Sequence, residues 1–378
     1  MTLLGVPARS WTLRPDRFAH VPPNWFASVM GTGIVAVAAH AIDDRSAVLT
    51  GLSVAFWLLT CIVFAGVVTA TAAHWYRHPD VAREHHRHPV TAHFYGAVPM
   101  AILTVGTSTL VAGSHVIGHG AALAVDAVCF TVGTIGAVVT AVLVPARHLV
   151  GRAGDRGEPF GGWLMSVVGP TVTASAAAVL AASVDSAATS RILLLVGALA
   201  LAISLILASP ILVAVVRRLV TTGPGPDGLA PTWWIVLGPL GQSVTAACLL
   251  PHTAAAVLDA PTARVVRDVG LAYAIPVWVA AACWIVVAAT ITARSIARGL
   301  PFGLTWWSFT FPLGTFVTGS AALATVLGGT VFGVMLFTVT ADAGFVALLC
   351  AWTIVTARAV AETASPAAQP LARGTLER

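Results

Sequence analysis

Small polar side chains stand beside proline or glycine inside long apolar runs of this chain. They are Ser28 and Thr32; Thr104, Thr107 and Ser108; Ser166, Thr171 and Thr173; Gln242 and Ser243; and Ser308, Thr310 and Thr315. Hydroxyl and amide groups can donate hydrogen bonds to an oxyanion. The same runs contain no arginine, and the chain has no lysine at all. The chemistry on offer is therefore recognition of a small anion without a fixed cation. A competing use of each hydroxyl is a bond back to its own helix.

The residues beside these donors follow a phrase. An aromatic residue is followed five positions later by proline or glycine: Phe26 to Gly31, Phe94 to Pro99, Trp234 to Pro239 and Trp307 to Pro312. A looser copy runs from Trp163 to Gly169 and Pro170. Gly241 and Gly314 follow closely in the last two full copies. Proline inside a helix removes a backbone hydrogen bond and kinks the rod. The expectation is five helices broken about 7–8 Å below their aromatic openers, at 1.5 Å per residue. Each half-helix would then present a positive N-terminal end and unpaired N–H groups inside the membrane. Several such ends around one axis would attract an anion.

Other side chains carry separate possibilities. Asp342 lies near the middle of an apolar run, where an acid is costly unless paired or neutralised. It is the candidate for proton coupling, against a packing role supported by Thr338 or Thr340. Asp126 reads as a solvated boundary residue. Phe309, Phe311 and Phe316 surround Pro312-Leu313-Gly314, and a ring beside a kink can plug a narrow pore. His74, His78, His85, His86, His88 and His93 crowd one loop. They read as a solvated loop and, with its arginines, as a pH-dependent basic vestibule. A membrane metalloenzyme using these second-loop histidines, of which His74 and His78 would share one helical face, is the remote alternative, although no carboxylate box accompanies them. The five cysteines lack metal-site spacing and read as small buried residues. No metal, cofactor or nucleic-acid partner is expected.

The elements that must position these groups follow from composition. The chain is 57% hydrophobic and only 9% charged, against roughly a quarter charged in soluble domains. A membrane helix needs about 20 apolar residues. Continuous rather than alternating runs exclude a β-barrel. The fold class is all-α integral membrane, with ten spans at 24–41, 47–73, 94–113, 121–144, 161–182, 189–216, 232–257, 266–293, 304–326 and 330–357. They pair as five helical hairpins with the broken member first. With the N-terminus inside, sixteen of the 20 arginines fall on cytoplasmic segments and four outside, a strong positive-inside bias. The organisation expected is a cytoplasmic tail over 1–22, a transmembrane unit over 23–357 and a second cytoplasmic tail over 358–378. The start of the chain does not read as a cleavable signal.

The phrases "NWFASVMGTGIVA" (24–36), "FYGAVPMAILT" (94–104), "WWIVLGPLGQS" (233–243) and "WWSFTFPLGTF" (306–316) resemble the tellurite-resistance/dicarboxylate transporter family. It includes fungal malate permeases, fungal sulfite efflux pumps and plant slow anion channels. The resemblance spans 24–357. It implies odd helices lining a central pore, even helices around them, a homotrimer with one pore per protomer in the plasma membrane, and a phenylalanine gate from the ninth helix. By motif position Phe311 matches that gate best, with Phe309 and Phe316 open. The implied pore-lining set is Gly31, Thr32, Pro99, Gly169, Pro170, Thr171, Pro239, Gly241, Gln242, Ser243, Pro312, Gly314 and Thr315. Small anions are the implied substrates: sulfite leads, and a C4-dicarboxylate competes.

Overall fold

The computed structural model describes residues 18–150, 158–328 and 331–364. Most of both expected tails, together with Arg152 and Arg156, lies outside the described residues. Among those described, all regular structure is helical. The α-helices are α1 (Phe26–Ile42), α2 (Ala47–Arg77), α3 (Pro79–His85), α4 (Ala97–Ser108), α5 (Ser114–Ile117), α6 (His119–Val150), α7 (Gly169–Ala182), α8 (Ala187–Thr222), α9 (Leu237–Ala254), α10 (Ala260–Ala297), α11 (Phe311–Val326) and α12 (Val331–Ala364). Nine helical segments among the described residues are long and apolar enough to cross a membrane. The fifth expected span differs. It is a 14-residue α-helix, α7, reached through a short 3₁₀ segment, Gly161–Ser166.

The long helices begin where the sequence supplies caps. Ser46, Ser186 and Asp259 accept from the backbone N–H groups of Leu49, Thr189 and Thr262, opening α2, α8 and α10. Such a cap satisfies one of the orphan donors at a helix start. Short connections then force antiparallel neighbours.

The helices form two layers. α1 packs on α4, α4 on α7, α7 on α9, α9 on α11, and α11 back on α1, closing a ring of five. Outside it, α2, α6, α8, α10 and α12 each lie against the ring member that precedes them in the chain. In the α9 and α11 spans, 78% of the most apolar window is buried, whereas in the α6 and α12 spans only 22% is. The exposed faces of the outer helices carry Ile62, Val132, Leu195, Val279 and Val346, as a lipid-facing surface requires.

The aromatic phrases open at 3₁₀ turns and run into the first turns of the ring helices rather than into kinks. Segments Pro23–Trp25, Thr91–Gly96, Gly161–Ser166, Asp227–Val236 and Leu304–Phe309 precede the five ring helices. They touch one another in the same cyclic order and form a collar at one end of the ring. Gly96 and Gly161 make this possible. A Cβ on Gly96 would collide with the Met165 carbonyl, and one on Gly161 with the Thr232 carbonyl.

This corrects the expected mid-helix breaks. Pro170 and Pro312 occupy the second position of α7 and α11, and Pro99 and Pro239 the third of α4 and α9. A first-turn proline lacks an N–H the helix could not have paired internally, so it needs no kink. The 3₁₀ turns run directly into α4 and α9, where the N–H groups of Ala97 and Leu237 bond to collar carbonyls. An interruption remains only before α7, at Val167-Val168, and before α11, at Thr310. Gly31 lies within α1.

Candidate functional site

Polar side chains meet across the seams of the ring. Gln242 of α9 donates through Nε2 to Ser175 Oγ of α7, and Ser175 donates in turn to the Val172 carbonyl at 3.0 Å. Gln242 Oε1 is buried without a partner. Thr245 of α9 meets Thr318 of α11 at 3.0 Å. Thr315 donates to the carbonyls of Leu237 and Pro312 at 3.1 and 2.6 Å. Glycine lets these two helices approach: a Cβ on Gly241 would stand 2.7 Å from the Phe316 nitrogen. Ser175, Thr245 and Thr318 stand three or four positions from the expected Thr171, Gln242 and Thr315. Helical periodicity on those residues would have found them.

The remaining expected pore residues do not all converge on the axis. Thr32 accepts from the Trp352 indole of α12 at 3.1 Å, and Ser243 from Tyr273 of α10 at 2.9 Å. Thr171 donates to Ser204 of α8 at 2.5 Å. Pro99 lies against Gly133 and Gly136 of α6, and Gly169 against Ala137. Gly31 faces Trp307 and Thr310, and Gly314 faces Ile34. These residues fasten ring helices to their neighbours. Ser28, Thr104, Ser108, Ser166, Thr173 and Thr310 bond back to carbonyls three or four residues earlier. Such bonds fill a hydroxyl's single donor.

The three phenylalanines have different surroundings. Phe316 stacks on Trp278 of α10, with centroids 5.6 Å apart, and so faces the outer layer. Phe309 lies in the collar, edge-on to Trp234 at 5.9 Å and to Trp306 at 5.7 Å. Phe311 is 5% exposed, in the main core cluster. Helix geometry puts it in one stripe with Thr315, Thr318 and Ala322.

The titratable groups are rearranged relative to expectation. Asp126, read as a solvated boundary, is 1% exposed and lies on Gly106 of α4, with Oδ2 unpartnered. The face of α6 it occupies turns toward the ring, which a linear reading of the span cannot show. Asp342 is exposed, one position off the buried stripe Phe337, Ala341, Phe345 and Leu348 of α12. The second-loop histidines are buried or half-buried rather than fully solvated. His74 and His93 are buried. His85 stacks on His74 at 5.3 Å and His86 on Tyr95 at 4.0 Å. Burial, reinforced by neighbouring histidines, lowers the His85 pKa to about 4. Burial also lowers His86 and His88. His85, His86 and His88 therefore favour the neutral form. Among the described residues no group of three His, Cys, Asp or Glu side chains could hold a metal ion. Of the cysteines, Cys248 is buried, but Cys283 and Cys350 are exposed on outer helices, correcting the expectation of small buried residues.

At the end of the ring opposite the collar lies a cavity of about 440 Å³. Four histidines line it: His40 of α1, His115 of α5, His119 of α6 and His252 of α9. Their distance along the chain hid this grouping from the sequence.

The ring, the collar and the polar seams can now be set beside known proteins. The chain is 27% identical over 345 residues to the sulfite efflux pump SSU1 of Arthroderma benhamiae, covering 89% of each protein. It is 26% identical over 320 residues to the sulfite efflux pump SSU1 of Arthroderma otae, covering 83% of this chain and 84% of that one. An uncharacterized transporter of Methanocaldococcus jannaschii is 25% identical over 306 residues, which is 81% of this chain and 84% of its own. The family model described as voltage-dependent anion channel, SLAC1, matches residues 20–360 and so takes in the entire ring, its collar and the outer helices. This all-α integral membrane chain belongs to the SLAC1 anion-channel family, the tellurite-resistance/dicarboxylate transporter group that its sequence phrases resemble.

Proposed function

We propose that the axis of the five-helix ring is a pathway for a small oxyanion, with sulfite efflux as the leading activity. The observation that carries this is the ring's charge pattern. Hydroxyl and amide groups occupy its seams, while every arginine among the described residues is exposed or half-exposed. A path without fixed cations binds an anion weakly enough to release it. The similarity to sulfite pumps favours sulfite over a C4-dicarboxylate, which would need a wider site with two positive poles.

In this reading Phe311 closes the path near the collar, in line with Thr315 and Thr318. The unit over 23–357 resides in the plasma membrane with its collar and both termini in the cytoplasm, and three copies assemble with one path each. The test is flux in proteoliposomes, comparing sulfite, malate, nitrate and chloride. Sulfite flux above malate flux is expected; malate alone would replace sulfite as the substrate, and no flux of any anion would end the reading. Proton coupling is placed on a carboxyl within a span. Of Asp126 and Asp342, Asp126 is the one buried against a ring helix. Accumulation driven by a pH gradient is expected to vanish in Asp126→Asn and to survive in Asp342→Asn. The reverse result would return the role to Asp342.

A further inference from the structure

We propose that His40, His115, His119 and His252 form a protonation-controlled binding site for a small divalent oxyanion at the mouth of the ring opposite the collar. This rests on the anion-pathway reading only for its physiological use, since binding at the mouth is a property of the cavity itself. The cavity takes its walls from the ends of four ring segments and from the start of α6. His115, His119 and His252 are exposed and His40 is half-buried, so all four can exchange protons. Imidazole is the side chain whose ordinary titration falls in the physiological range.

The imidazoles are what an anion would meet at this mouth: the carbonyl ends of α1, α7 and α9 point to it, and the negative end of a helix favours a nearby imidazolium but opposes the anion itself. Much of the remaining lining is apolar, from Leu110, Val111, Ala178, Val179, Ala182 and Leu249. Attraction is stronger where water is partly excluded.

The stripes lead into this mouth. Ser175 continues on α7 to Ala178 and Ala182, and Gln242 and Thr245 continue on α9 to Leu249 and His252. An anion leaving the polar seams would meet the histidines next.

The charged surroundings leave this balance to the histidines. Asp44, just beyond α1, and His115 both act electrostatically on His40. Asp185 stands on the connection from α7 to α8. Asp259 is engaged in capping α10, where it accepts from the Thr262 N–H at 3.0 Å and the Thr262 hydroxyl at 2.8 Å. Arg191 of α8 is turned to the Val257 carbonyl at 3.1 Å. The mouth then gains positive charge as its imidazoles bind protons and loses it as they release them. An acidic exterior would retain the anion at the mouth, and a neutral one would let it go.

The test uses sulfate as a redox-inert probe and the full chain in detergent, labelled with ¹⁵N-histidine. Imidazole resonances are followed by NMR during sulfate titration at pH 6 and pH 8. Binding about tenfold tighter at pH 6 than at pH 8 is expected if protons on the imidazoles hold the anion. The pH difference should vanish in the His115→Gln/His252→Gln double variant, and shrink in His119→Gln should the double variant fail to fold. Equal affinity at both pH values, or a pH difference kept in the variants, overturns the site. Flux measured on the same protein separates the two readings. Flux without pH-dependent binding removes the histidine site alone. Binding without flux of any anion removes the pathway and leaves the site.

Discussion

Phe311 and Phe316 lie five positions apart on α11 and meet different surroundings. Phe316 is held by Trp278 of an outer helix, while Phe311 shares a stripe with Thr315 and Thr318. Phe311→Ala is therefore expected to raise anion flux about tenfold, which corresponds to about 1.4 kcal/mol of barrier. Phe316→Ala should leave flux nearly unchanged and lower the thermal midpoint in detergent. An aromatic stack contributes roughly 0.5–1.5 kcal/mol beyond its buried area. Proteoliposome flux beside thermal unfolding of both variants checks this; the opposite pattern would assign the gate to Phe316. The motif containing these rings was legible in the sequence. Which ring the outer layer holds was not, because its partner comes from α10. The same holds for Thr32, Thr171 and Ser243, whose partners come from α12, α8 and α10.

At the scale of elements, the collar decides how the ring helices begin. The aromatic openers were visible as a repeated phrase, but their 3₁₀ form was not. It depends on five segments packing against each other, with Gly96 and Gly161 allowing backbones to touch. Beside the collar, α3 and its histidines pack on the end of α2. His85 titrates near 4 in the fold, against an ordinary 6.5. The unfolded chain therefore binds more protons between these values, so stability is full above pH 6.5 and falls as pH approaches 4. The thermal midpoint of the wild type should drop across that interval, and His85→Gln should drop less. An identical slope in the variant would show that other groups carry the acid sensitivity. The contribution of His85, His86 and His88 to the expected basic vestibule is weakened for the same reason: burial favours their neutral form.

For the whole molecule, the ring-within-ring arrangement turns charge bias into a directional statement. Arg77, Arg83, Arg87, Arg147, Arg217, Arg218, Arg294, Arg298 and Arg358 all lie toward the collar end. Arg83, Arg218 and Arg298 are paired there, with Asp80 at 2.8 Å, Glu158 at 3.0 Å and Asp227 at 2.5 Å. By the positive-inside rule this bias favours the proposed cytoplasmic collar. Thr222→Cys, at the collar end of α8, should react with a membrane-impermeant maleimide only after cells are permeabilised. Labelling in intact cells would invert the orientation.

Composition and run length determined by themselves that this chain is helical and membrane-embedded, because backbone groups in lipid must pair within their own segment. The repeated phrase also marked the ring helices, since proline and glycine restrict or free the backbone locally. Only the tertiary structure decided which polar groups meet across the ring, that Asp126 is buried and Asp342 is not, and that four distant histidines share one mouth. Those outcomes depend on which face each helix turns to its neighbours. In a span apolar on every side, the sequence carries little signal for that rotation.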